Sequence, residues 1–295
     1  MTTIDCSKGR GSRGTGEGAH RSTDCLPVGL RWVTPCVAVV VLSTLMGCVT
    51  EPITGRTLLG GISEEDANQM GATAYEQMLA EAPVASGTAD AALVQKVGER
   101  IARVVDQRMA EEGRPRYEWE FNLINANDTV NAFALPGGKV AFYSGILPIC
   151  QGEAGIAVVM GHEIAHAYGQ HGRKRVSEQA VSQYGLEAVQ IALDSGLSAD
   201  ESQLALAALG IGYQYGVELP FSRGDEAAAD HIGLIIMAEA GYDPRVAVDF
   251  WTRMAEASGE APLEFFSTHP SNEKRIRKLK ERMPAAVEIY EKNAN

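Results

Sequence analysis

Residues 161–171 read GHEIAHAYGQH. Within them His162, Glu163 and His166 have the spacing H-E-x-x-H. On an α-helix, residues four apart lie on one face, a turn apart. The two imidazoles can therefore aim one nitrogen each at a single metal ion. Glu163 sits beside them, where its carboxylate reaches a water on the metal without being a ligand itself. The run before it, EAGIAVVMG, is apolar on nearly every side, as a central buried helix would be. Burying two His and a Glu with no partner costs about 1–3 kcal/mol each, so a metal explains them better than a core helix does.

A catalytic zinc takes three protein ligands and keeps one position open. Three residues offer the third. His171 comes one residue too early for the longer spacing H-E-x-x-H-x-x-G-x-x-H, where Gly172 holds the last place. On a continuous helix it would also point away from His162. His231 stands alone beside Asp230. Glu226, in RGDEAAAD, is followed one helical turn later by Asp230. Glu226 can then bind the metal while Asp230 accepts the spare N–H of a ligand histidine. Glu226 is the best fit of the three.

These residues need elements to hold them. SEED, Ser63 to Asp66, has the form of a capping box and opens a helix that Pro83 to Gly87 breaks. A second amphipathic helix carries Leu93, Val97, Ile101 and Val104. The alternation in 117–125 predicts a strand. NAFALPGGKVAFYSG predicts strand, turn and strand. Residues 174–217 read as helical with a break near 195–198, and the span from Gly172 to Arg223 bridges the ligands as a candidate gate. A strong helix ends at Gly241, another starts after Pro244, and a basic helix follows the loop STHP. Arg275 and Arg277 read as its solvated face, with a part in ordering the site as the alternative for Arg275. The layout is α+β, mainly helical, with a small antiparallel sheet and a buried H-E-x-x-H helix.

The first fifty residues read as an address. Residues 1–25 have no hydrophobic period. Arg31 then precedes an apolar stretch of 32–46 ending in LMGC, which resembles a bacterial lipobox with Cys48 as the lipidated N-terminus. The expected division is leader and signal at 1–47, a Pro- and Gly-rich tether at 48–63, and one domain at 64–295. Val49 in place of Asp points to the outer membrane, facing the periplasm. Cys150, alone in the main body, reads as a buried small residue. The net charge of −12 excludes nucleic acid as a natural partner, since that affinity rests on Lys and Arg at phosphates.

Taken together, the motifs resemble the zinc metallopeptidase family of HtpX and the type I CAAX prenyl endopeptidase, in its soluble periplasmic lipoprotein branch. VMGHEIAH matches the family's zinc helix and RGDEAAAD its third-ligand helix. NAFALPGGKVAFYSGIL, STHPSNEKRI and CVTEPITGR match further segments, so the resemblance runs from 48 to about 280. Gly155 departs from it, where members often carry an acidic residue. The resemblance implies a zincin-like fold holding one Zn2+, with His162, His166 and Glu226 as ligands and Asp230 behind them. It implies an endopeptidase acting on misfolded or unassembled cell-envelope proteins, with Glu163 as general base. His269, in STHP, is implied near the metal, as a donor to the oxyanion or as a ligand in a latent state. The strand at Asn131, Ala132, Phe133 and Ala134 is implied to line the cleft and pair with an extended substrate. The competing reading is a periplasmic chaperone or assembly factor for outer-membrane proteins with little proteolysis.

Overall fold

The stretch 48–63, expected as a tether, folds into a hairpin of β1 (Cys48–Thr50) and β2 (Thr57–Leu59), paired antiparallel. Glu51 N–H donates to the Arg56 carbonyl at 2.7 Å and Gly55 N–H to the Glu51 carbonyl at 3.0 Å, closing the turn. Gly55 takes a φ of 68° there, which glycine adopts at no steric cost. Glu51, Leu58 and Ile62 are buried, so the segment packs down where a free linker was expected. The computed structural model describes residues 48–179, 220–259, 263–270 and 274–293. The expected leader and signal, the break near 195–198 and most of the candidate gate lie outside them.

Ser63 caps α1 (Glu64–Glu81) by accepting from the Asp66 N–H at 3.0 Å, which satisfies a donor that helix starts leave unpaired. Thr88 caps α2 (Ala89–Glu111) in the same way, and the helix turns Val94, Val97, Ile101 and Val105 inward. A three-stranded sheet follows, of β3 (Glu120–Ile124), β4 (Ala132–Leu135) and β5 (Lys139–Tyr143) in the order β3-β5-β4. β4 and β5 form the expected antiparallel hairpin, with φ of 81° and 85° at Gly137 and Gly138. β3 adds in parallel on the other side of β5, with Glu120 opposite Lys139. β4 is thus an edge strand, and it packs against the helix that carries H-E-x-x-H.

That helix is α4 (Glu153–Tyr168), entered from the short α3 (Leu147–Cys150). It is buried from Gly155 to Tyr168, as its continuous apolar run requires. A Cβ on Gly155 would stand 1.8 Å from the Cys150 carbonyl oxygen, so an acidic side chain has no room there. α5 (Arg223–Glu239), capped by Ser222, crosses α4 where two glycines meet. A Cβ on Gly233 would lie 2.9 Å from the Gly161 carbonyl carbon, and one on Gly161 would lie 3.0 Å from the Gly233 oxygen. Their bare backbones let the two helices approach, one residue before His162 and seven after Glu226. α6 (Val246–Ser258), α7 (Phe265–Thr268) and α8 (Arg275–Asn293) follow, and residues 171–179, between α4 and α5, are also helical. Trp251 on α6 and Phe265 on α7 pack beside His162, with ring centroids at 5.5 and 6.2 Å.

Candidate metal centre

His162 and His166 project from successive turns of α4 and bring their Nε2 atoms to 3.2 Å from each other. α5 supplies Glu226, whose Oε1 is 3.3 Å from His166 Nε2. Its Oε2 is 3.6 Å from His162 Nε2. His269, just past α7, adds Nδ1 at 3.4 Å from His162 Nε2 and 3.1 Å from Glu226 Oε1. All four residues are buried and form one candidate metal cluster. A tetrahedron with arms of about 2.0–2.1 Å, as zinc takes with histidine nitrogens, has edges of about 3.3–3.4 Å. The measured separations bracket that value, so the donor set fits a tetrahedral metal ion.

The surroundings match this use. Asp230, one turn after Glu226, places Oδ1 3.1 Å from His162 Nδ1, close but off the hydrogen-bond line. Arg275 sends Nη2 to Glu226 Oε2 at 2.5 Å and Nε to Asp230 Oδ2 at 2.8 Å. Its guanidinium lies 4.1 Å over the Trp251 ring. The solvated face expected for Arg275 is therefore wrong for that residue, which is buried. Arg277 does face outward, beside Glu281 at 3.5 Å. Glu163 is fully buried, and neither of its carboxylate oxygens has a hydrogen-bond partner among the described residues. Its Oε1 lies 3.6 Å from His269 Nε2.

The electrostatics follow from burial and crowding. Burial opposes a charge on His162, but Asp230 and Glu226 outweigh it and raise its pKa to about 9. Burial, together with the neighbouring His162 and His171, holds His166 well below its ordinary value against the pull of Glu226. Burial alone would raise Glu226, yet His269, His162 and His166 around it hold it well below the usual carboxylate range. Burial raises Glu163, opposed by His269 and His162. A carboxyl raised in this way suits a group that must take a proton and pass it on near neutral pH.

The other candidates are placed as follows. Asn131, Ala132 and Ala134 are buried and Phe133 is half-buried, on or beside edge strand β4. His231 lies on α5 outside the cluster. His171 is also outside the ligand set, with its Nδ1 2.9 Å from His166 Nδ1, behind the ligand. Cys150 is a buried free thiol, as its place in the sequence suggests, and burial pushes its pKa up to about 12. Glu51, which reaches His171 at 2.6 Å, escaped the sequence reading, and Arg275 was read there chiefly as surface. Both sit in strings whose composition signals surface, a basic run and a Pro–Gly turn.

Residues 95–283 match the family model described as Peptidase family M48. The chain belongs to peptidase family M48. The expected enzyme class, a metalloendopeptidase, stands with that membership, as does the resemblance read from the motifs. This M48 chain is 37% identical over 238 residues to the mitochondrial metalloendopeptidase OMA1 of Schizosaccharomyces pombe, a match covering 80% of this chain and 66% of that protein. It is 36% identical over 183 residues to the OMA1 of Saccharomyces cerevisiae, covering 60% and 50%. It is 28% identical over 230 residues to the beta-barrel assembly-enhancing protease of Yersinia pestis, covering 76% and 45%. The matches span less than two thirds of each of these relatives.

These relatives overturn the expected placement as a bacterial outer-membrane lipoprotein facing the periplasm. The two of higher identity are mitochondrial proteins, so a lipobox-like LMGC followed by Val49 does not fix the compartment. The lipid anchor expected at Cys48 has no support from them. Cys48 is an exposed free thiol at the start of β1.

Proposed function

We propose that the chain is a zinc endopeptidase that hydrolyses peptide bonds in misfolded or unassembled proteins, with His162, His166 and Glu226 holding the ion. The observation that carries this reading is the buried cluster of ligand atoms at tetrahedral edge lengths, beside a buried Glu163 whose carboxylate has no hydrogen-bond partner among the described residues. The names of the relatives, metalloendopeptidase and assembly-enhancing protease, support proteins as the substrate. When bound in such a site, zinc lowers the pKa of a coordinated water and polarises a carbonyl.

The chain's own residues do the rest. Glu163 takes a proton from the attacking water at its carboxylate and delivers it to the nitrogen of the leaving amine. Asp230 and Arg275 orient His162 and Glu226. His269 would be a fourth donor to the ion, and a substrate carbonyl would have to displace it. The edge strand β4 offers its backbone to an extended peptide, which favours unfolded chains over a fixed sequence. A chaperone role with little proteolysis draws on one observation, the closeness of His269 to the other three donor residues.

Metal analysis and cleavage of a reduced, unfolded protein test the reading. The expected result is one zinc per chain, lost in His162→Ala and Glu226→Gln, and cleavage that stops with a chelator and returns with zinc. A chain that binds no metal at stoichiometric level, or that cuts equally in chelator, overturns it.

A further inference from the structure

We infer that Glu51 and His171 form a hydrogen-bonded relay that positions His166, making the N-terminal hairpin a working part of the metal centre. The inference rests on the metal-centre reading above. His171 Nδ1 lies 2.9 Å from His166 Nδ1, and His171 Nε2 lies 2.6 Å from Glu51 Oε1. All three side chains are buried, with exposures of 0%, 1% and 1% for His171, His166 and Glu51. Each contact holds one proton. The Glu51 carboxylate has none to give, so His171 Nε2–H donates to it. A neutral His171 then has a bare Nδ1, which accepts from His166 Nδ1–H. His166 keeps its lone pair on Nε2, the atom that faces the ligand cluster. The chain of donors thus selects the tautomer that a metal ligand needs. Asp230 stands directly behind His162; His166 is reached through a second histidine.

The hairpin holds Glu51 firmly. The Thr54 hydroxyl donates to Glu51 Oε2, and Arg56 Nη1 lies 3.2 Å from Oε1. Arg56 also donates to the Gly224 carbonyl at 2.7 Å and to Asp225 at 2.8 Å, next to Glu226. The hairpin therefore touches the start of α5 and, through His171, the segment just past the end of α4. Glu51, His171 and Asp225 also lie close enough to hold a second ion. Charge argues against that, because Arg56 pairs with both carboxylates and Lys174 Nζ sits 2.7 Å from Asp225. Two cations already occupy the place a third would take.

The test uses the full chain, with Zn2+ affinity read by competition against a chromogenic chelator. Glu51→Ala and His171→Ala each weaken zinc binding about 10–100-fold, while circular dichroism and one-zinc saturation stay unchanged. The double variant is no weaker than the weaker single variant, because one break already opens the relay. Glu51→Gln keeps an acceptor for His171 Nε2–H and recovers most of the affinity. In the metal-free protein, long-range 15N–1H correlation finds the His166 proton on Nδ1, and in His171→Ala it spreads over both nitrogens. A role for Glu51 only in anchoring the hairpin through Arg56 predicts additive losses and no recovery by Gln. Additive losses, or wild-type affinity in either alanine variant, overturn the relay. Where Glu51→Ala does not fold, His171→Ala decides alone, and unchanged affinity overturns the relay. His162→Ala separates the two readings. If it too binds zinc normally, the metal centre itself is wrong. If it loses zinc while the relay variants do not, only the relay fails.

Discussion

Replacing Arg275 by methionine tests how the charges of the site are balanced. Arg275 is 3% exposed and is paired with two carboxylates, Glu226 at 2.5 Å and Asp230 at 2.8 Å. Methionine keeps much of the aliphatic stem, so the change removes mainly the guanidinium, with its charge and its contact over Trp251. Two buried carboxylates then lose their shared partner. Removing one member of a buried ion pair costs about 3–5 kcal/mol, because the other is left uncompensated. For a folded body of this size, 1 kcal/mol moves Tm by about 2–4 °C, so the expected fall is about 6–20 °C. The measurement is urea and thermal unfolding of wild type and Arg275→Met in a chelator, followed by circular dichroism. Adding zinc narrows the gap, since the ion supplies positive charge beside Glu226. Arg275→Lys recovers part of the loss, because a point charge cannot serve both carboxylates as a planar fork does. A loss below about 1 kcal/mol in chelator, the range of exposed pairs, would refute the claim that this arginine balances the site.

Further outcomes follow from the same geometry. Gly233→Ala forces a Cβ against the Gly161 backbone at 2.9 Å; it lowers stability by about 1–3 kcal/mol and weakens zinc binding, and unchanged melting and affinity would contradict the close crossing. His269→Ala binds zinc more weakly yet cleaves an unfolded substrate several-fold faster, because the fourth corner is open; lost cleavage with zinc retained would make His269 an oxyanion donor instead. Cys150, its thiol pushed up to about 12 from 9.0, stays unmodified by a thiol reagent at pH 8 in the native chain while Cys48 reacts, as peptide mapping reads directly. For Cys150 the folded pKa is the higher one. Its contribution to stability is therefore complete below about pH 9 and is lost as pH rises towards 12, so Cys150→Ala flattens the alkaline fall.

Much of the site was legible because its geometry is local. His162 and His166 are fixed by a four-residue period, and Glu226 with Asp230 repeats that period on a second helix. Nothing in one dimension says that α4 and α5 cross at Gly161 and Gly233, which is why the third ligand needed a choice among three. Arg275 was read first as surface, and only second as ordering the site, because a basic run such as KRIRKLK has the composition of a solvated face. Its role comes from the packing of α8 against Asp230 and Trp251, which are distant in sequence. Glu51 was lost in a Pro–Gly stretch that reads as linker, although Glu51 and Arg56 flank a turn short enough for the two to pair. His171, set aside as a ligand on its spacing from His162, lies outside the candidate cluster. Its contact with the back of His166 depends on the hairpin that brings Glu51 beneath it. The alternation in 117–125 gave a strand, but the parallel partner of β3 is a matter of long-range pairing.

The most direct measurement compares wild type with Glu163→Gln for cleavage of an unfolded protein at equal, measured zinc content. The account predicts that Glu163→Gln keeps one zinc and the fold while cleavage falls about 100-fold or more, the size of a general-base contribution. Equal cleavage by both proteins would contradict it.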